Sequence, residues 1–271
     1  MFPLLLEVNK RGCCFQLLSL EKTFLFCAGK TYSVEMSENH SKLDEIINAT
    51  RELRSKNRRS LAVFDLDSTL FNVSTRTYQI LLEFAELYHL PALKTVGVLA
   101  SDWGIKEAVL RAGFTIEKDR EMLSQLRDFW RERFFSNEYI HYDVPYAGAI
   151  SFVLELSESG CDILYLTARD QARMGKGSAE VLKKWGFPCA EGQLILKPER
   201  TIDDELFKND WFLQFDRSPF SKIYFFENEP VNINAVSKSC PDIEIIFLET
   251  THARKQEVTL PLSRIKHFGR G

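Results

Sequence analysis

Apolar runs alternate with polar breaks along most of this chain. Leu61 to Phe71 reads LAVFDLDSTLF, Ile163 to Asp170 reads ILYLTARD, and Ile223 to Pro230 reads IYFFENEP. Short, nearly continuous apolar runs suit strands covered on both faces, so each predicts a buried parallel strand. QLILK, ending at Lys197, and IEIIFLE predict two more. Helical spacing lies between them in AGAISFVLELSES, in SAEVLKKW and in DDELFKNDWFLQF, where Leu206, Phe207, Trp211, Phe212 and Phe215 are the apolar positions, with a short helix at VNINAV. Strands alternating with helices predict a parallel α/β sheet of about five strands.

From about Asn72 to Tyr142 the period is helical throughout. TYQILLEFAELYHL stops before Pro91, IKEAVLRAG ends on Gly113, and EKDREMLSQLRDFWRERFF carries i, i+3, i+4 apolar spacing. Upstream, Met36 opens a polar start, MSENHSKLDE, to an amphipathic helix with Leu43, Ile46, Ile47 and Leu53 on its apolar side. The first 35 residues show no motif or periodicity. Two expectations stand for them: a hairpin pairing FLFCAG with TYSVE, or translation starting at Met36, with the preceding residues dispensable.

The strand ends carry the chemistry. In open α/β sheets ligands bind beyond the carboxyl ends of the strands, and there the first run presents Asp65 and Asp67, the second Thr167, and the third Glu227, Asn228 and Glu229. Lys208 falls early in the helix preceding the third run. A carboxylate can attack phosphorus and form an aspartyl-phosphate, and a second one two residues on can act as general acid and then general base. Asp65 is the candidate nucleophile and Asp67 the candidate proton carrier. Asp67 or Ser68 also suits an N-cap or Asx-turn, and Glu229 with Pro230 suits a helix start. Lys197, at the end of QLILK, rivals Lys208 as the cation over the sheet edge. Arg169 either touches substrate or pairs with Asp170 at a helix start.

Aspartate pair, hydroxyl, lysine and acid, in that order and in strand-loop-helix contexts, resemble the haloacid dehalogenase-like (HAD) superfamily in its phosphatase form. The resemblance implies a Rossmann-like three-layer core (58–72 and 143–271), a helical cap inserted between the first and second motifs (73–142), and an N-terminal extension with a helix (1–57). It implies a magnesium ion held by Asp65, Glu227 and the Asp67 backbone carbonyl, with Thr167 and Lys208 binding phosphate. Asp67 favours phosphate hydrolysis over dehalogenation. The family usually has aspartate where Glu227 stands, so Asn228 and Glu229 remain candidates for supporting or substrate contacts. Arg76, His141 and Tyr142, near the crossings between core and cap, are candidates for hinge or substrate contact. The expected function is hydrolysis of a small phosphomonoester. The alternatives are phosphotransfer, removal of a terminal phosphate from nucleic acid, or a regulatory or binding protein on a weakened HAD scaffold.

Composition narrows this only a little. With 271 residues and a formal net charge of −3, no global charge favours nucleic acid or an anionic membrane. The cluster Arg51, Arg54, Lys56, Arg58 and Arg59 reads as a solvated helix end. The six cysteines, at 13, 14, 27, 161, 189 and 240, include no CxxC pair and no zinc spacing, which predicts reduced thiols and a cytoplasmic location. No apolar run approaches a membrane span, and the N-terminus lacks the basic start and cleavage site of a signal peptide.

Overall fold

The computed structural model describes residues 32–270. A six-stranded sheet runs in the order β5 (Leu194–Lys197), β4 (Cys161–Asp170), β1 (Arg59–Phe64), β6 (Phe220–Glu227), β7 (Glu244–Leu248) and β8 (Ser263–Ile265). Every pairing is parallel. The sixth strand was not expected: β8 has only three residues and no apolar run to announce it.

Residues alternate between the two faces of the sheet, as the pleat requires. Ala62, Phe64, Tyr165, Tyr224, Phe226 and Ile246 share one apolar cluster with α1 (Tyr32–Ser55), α6 (Ala149–Glu158) and α7 (Gln171–Trp185). Leu61, Val63, Leu166, Phe225 and Ile245 share the other with α8 (Asp204–Gln214) and α9 (Pro230–Ser239). Phe64 stacks on Phe226 at 4.4 Å between centroids, and each such buried ring contributes about 1.5–3 kcal/mol. This is a three-layer, Rossmann-like α/β core. Gly148 opens α6 at φ +79, and a Cβ there would meet the Phe268 backbone at 2.3 Å, so only glycine fits the turn.

The chain leaves the core through β2 (Phe71–Asn72) and returns through β3 (Val144–Pro145), which pair antiparallel. Between them, α2 (Ser74–Leu87), α3 (Pro91–Thr95), α4 (Lys106–Arg111) and α5 (Ile116–Phe134) enclose a separate apolar cluster of Leu81, Phe84, Leu93, Val109 and Leu126. α2 ends at Leu87, before Pro91 as expected, and the proline begins α3 at a position where its missing N–H costs no bond. At the other end, α1 starts at Tyr32, so the TYSVE half of the expected hairpin is helix from that residue and Met36 lies within it. FLFCAG, Cys13, Cys14 and Cys27 lie outside the described residues. Arg51 pairs with Glu155 at the surface, consistent with an exposed helix end. Among the described residues no helix is long and apolar enough to cross a membrane.

Candidate active site

Three neighbouring strands, β4, β1 and β6, deliver the sequence candidates to one edge of the sheet. Asp65 directly follows β1, and its N–H still donates to Phe226 O at 3.0 Å, extending the ladder by one bond. Glu227 ends β6 with no exposed surface. Lys208, on α8, reaches under both and donates to Asp65 Oδ1 at 2.6 Å and to Glu227 Oε2 at 2.7 Å. An ammonium shared by two buried carboxylates leaves one negative charge unbalanced. Burial, with Glu227 opposing the pull of Lys208, raises the Asp65 carboxyl to about 7.

Glu227 is held from all sides. Its Oε1 accepts from the Asn228 and Glu229 N–H groups at 2.9 Å each, and Oε2 also accepts from Asn232 Nδ2 at 3.1 Å. Asn232 was missed in the sequence; it lies in the first turn of α9, and its buried Oδ1 has no hydrogen-bond partner among the described residues. Asn228 turns away, accepting from Thr69 Oγ1 and donating to Thr251 O at 2.6 Å. Glu229 precedes α9, but its carboxylate accepts from Ala253 N at 2.9 Å rather than capping the helix. Burial, then the charge of Glu227, raises the Glu229 carboxyl.

Asp67 sits in a second network. Its Oδ1 accepts from Arg169 at 2.5 Å and from Arg76 at 2.9 Å, and its Oδ2 accepts from Arg169 Nε at 3.2 Å. Both guanidiniums also bind the fully buried Asp143, each at 2.7 Å to Oδ2. Burial works to raise the Asp67 carboxyl, but the charges of Arg169 and Arg76 outweigh it and hold it well below the usual carboxylate range. Of the two readings of Arg169, the pair with Asp170 does not form. Asp170 instead caps α7 and takes both of its side-chain bonds from Arg173, leaving Arg169 to point inward. Arg76, the candidate near the outgoing crossing, is not at the surface. It is fully buried, donates to Phe134 O at 2.9 Å, and stacks over the Phe134 ring at 4.2 Å.

Thr167 is buried, and its Oγ1 accepts from Arg169 N at 3.3 Å. β4 runs on to Asp170 beyond Thr167, with a register break against β5 there, where the sequence had placed the strand end at Thr167. Lys197 is not in the cluster: its ammonium is held by Ile202 O at 2.9 Å and Asp204 at 2.5 Å. His141 and Tyr142 lie in the turn before β3, where the His141 carbonyl accepts from Lys184 and the Tyr142 carbonyl from Thr75.

The donor set suits a hard dication. Asp65 Oδ2 and the Asp67 carbonyl make no hydrogen bond among the described residues, so they offer oxygens beside Glu227 in a cluster short of positive charge. No group of three or more acidic, histidine or cysteine side chains suited to a metal occurs among the described residues, so a cation here would rest on Asp65 and one carbonyl, joined by Glu227 on exchange of one of its four hydrogen bonds.

No family model matches the chain, and no curated protein matches it. Solved structures similar to it at low identity include the following three. A haloacid dehalogenase-like family hydrolase from Streptococcus pneumoniae is 13% identical, with 71% of this chain and 85% of that one covered and a TM-score of 0.45. Protein tyrosine kinase A from Mycobacterium tuberculosis is 14% identical over 76% and 93%, with a TM-score of 0.47. A class C acid phosphatase from Bacillus anthracis, with tungstate bound, is 12% identical over 78% and 74%, with a TM-score of 0.41. Likeness at this level assigns no activity to the chain.

Proposed function

We propose that this chain is a HAD-superfamily phosphatase that hydrolyses a small phosphomonoester, with magnesium, through an aspartyl-phosphate on Asp65. The Asp65–Lys208–Glu227 cluster at the sheet edge carries the reading. It joins residues far apart in the chain in the order that the sequence resemblance requires. The helices α2–α5 then form the cap, and a cap over the sheet edge suits substrates small enough to be enclosed.

The Asp65 carboxylate attacks phosphorus, and the bond to the leaving oxygen breaks as that oxygen takes a proton from Asp67. Asp67 then removes a proton from water as the water attacks the acyl phosphate, which frees Asp65 and orthophosphate. Lys208 and Thr167 supply an ammonium and a hydroxyl to phosphoryl oxygens on which charge develops. Asp65, Glu227 and the Asp67 carbonyl would hold the magnesium ion, which when bound neutralises charge on the phosphoryl group.

A second reading has its own support. Both Asp67 oxygens are engaged by guanidiniums, which makes it a poor proton carrier until it turns toward the substrate. A regulatory or binding protein on a HAD scaffold fits that arrangement. Release of p-nitrophenol from its phosphate, with and without magnesium, separates the two: magnesium-dependent turnover that disappears in Asp65→Asn supports the phosphatase, and none from the wild type supports the binding protein.

A further inference from the structure

One residue beyond Thr167, the ends of β4 and β5 and the C-terminal half of α5 enclose a cleft of about 620 Å3. Ala168 and Asp170 lie at its β4 side, Lys197 and Arg200 on the β5 side, and Arg131 and Phe135 on or just past α5. Core and helical block thus both contribute walls. Ala168, which lines the cleft, directly follows the phosphate-binding candidate Thr167 on β4.

Four carboxylates and four cations line the cleft, and they differ in how they are paired. Each carboxylate has a cation of the fold beside it. Asp170 accepts from Arg173 at 2.6 and 2.9 Å, and Asp204 accepts from Lys197 at 2.5 Å. Asp128 lies 3.5 Å from Arg127, and Glu132 lies 3.4 Å from Arg133. Arg131 and Arg200 have no ion pair or hydrogen bond among the described residues. One is on the helical wall and the other on the core wall. Planar guanidiniums are matched in geometry to carboxylate and phosphate oxygens. Arg173, 5.4 Å over the Phe135 ring, adds a further guanidinium to the lining.

Resting on the phosphatase reading, we infer that this cleft takes the leaving-group end of the substrate, and that this end carries a second oxyanion bound by Arg131 and Arg200. The oxyanion is a carboxylate or a second phosphate. A cationic or uncharged leaving group leaves both guanidiniums without a partner.

The test uses size-matched esters: ethyl phosphate, phosphoethanolamine, phosphoglycolate and ethylene glycol bisphosphate. They are assayed with the wild type and with the double variant Arg131→Gln/Arg200→Gln. In the wild type, KM for phosphoglycolate or the bisphosphate is expected about tenfold below that for ethyl phosphate, and added salt narrows the gap. The double variant loses the ratio, and the better of the two anionic esters identifies the oxyanion. Equal KM across the set, preference for phosphoethanolamine, or an unchanged ratio in the double variant overturns the inference. If no ester, p-nitrophenyl phosphate included, is turned over, the phosphatase reading fails by itself. Calorimetry with phosphoglycolate then decides the cleft: binding that the double variant loses supports it, and no binding or equal binding overturns it.

Discussion

The Arg76 guanidinium, on the first helix of the inserted block, donates to Asp67 Oδ1 at 2.9 Å, so the candidate proton carrier of the core is tied to the block above it. The same guanidinium holds Asp143 at the returning crossing, so both connections meet at Asp67.

That tie makes Arg76 a stability determinant. Removing one partner of a buried ion pair leaves an uncompensated charge and costs about 3–5 kcal/mol, whereas an apolar replacement of both partners is often neutral. Arg76→Met is expected to lose stability in that range on urea unfolding. Arg76→Met/Asp143→Leu should recover much of it. A double variant no more stable than the single one would mean that the packing of Arg76 on Phe134, not its charge, is what the fold needs.

Glu227 and Asn232 set the metal requirement in the proposed reaction. Glu227→Gln should need far more magnesium for half-maximal turnover, because a neutral amide is a poor ligand for a hard dication. Asn232→Ala, which frees Glu227 Oε2 from its Asn232 bond, should shift the requirement by about tenfold or more. Magnesium titrations of turnover check both, and a requirement unchanged in Glu227→Gln would move the ligand role to another acid.

Asp102 gives the helical block an acid-sensitive component. Its nearly buried side chain accepts from Leu99 N and from Arg111 Nη1, each at 2.8 Å. Burial works to raise the Asp102 carboxyl, but those bonds and the Arg111 charge outweigh it and hold it below its usual value. A carboxyl lower in the folded state than in the unfolded chain stabilises above about pH 4, and that contribution disappears as pH falls through the folded value. The stability gap between wild type and Asp102→Asn should therefore narrow between about pH 6 and about pH 3. A gap independent of pH would show that the carboxylate charge is not what pins the loop.

What was legible in the sequence follows from locality. Asp65, Thr167 and Glu227 announced themselves because an apolar run that ends in a polar group marks a strand end, where ligands bind. Lys208 could be chosen over Lys197 only from motif order; in the fold, Lys197 is occupied by Asp204, a residue seven positions on. The Asp67 network was not legible. Arg76 stood out only as a hinge or substrate candidate, and Asp143 lies 67 positions away from it, so no local period connects them. Arg169 was left open between substrate and its neighbour Asp170, and in the fold Asp170 is taken by Arg173 three residues later, while Arg169 binds Asp67. β8 was invisible for want of length, and α1 extends further upstream than its polar start suggested.

The central claim is that Asp65 is the group phosphorylated during turnover. Acid quenching of wild type and Asp65→Asn with p-nitrophenyl phosphate and magnesium, followed by mass spectrometry of the peptide spanning Leu61 to Phe71, tests it most directly. Phosphate on Asp65 in the wild type, more of it in Asp67→Asn, and neither adduct nor turnover in Asp65→Asn are the expected results. Turnover by Asp65→Asn at the wild-type rate would contradict the mechanism.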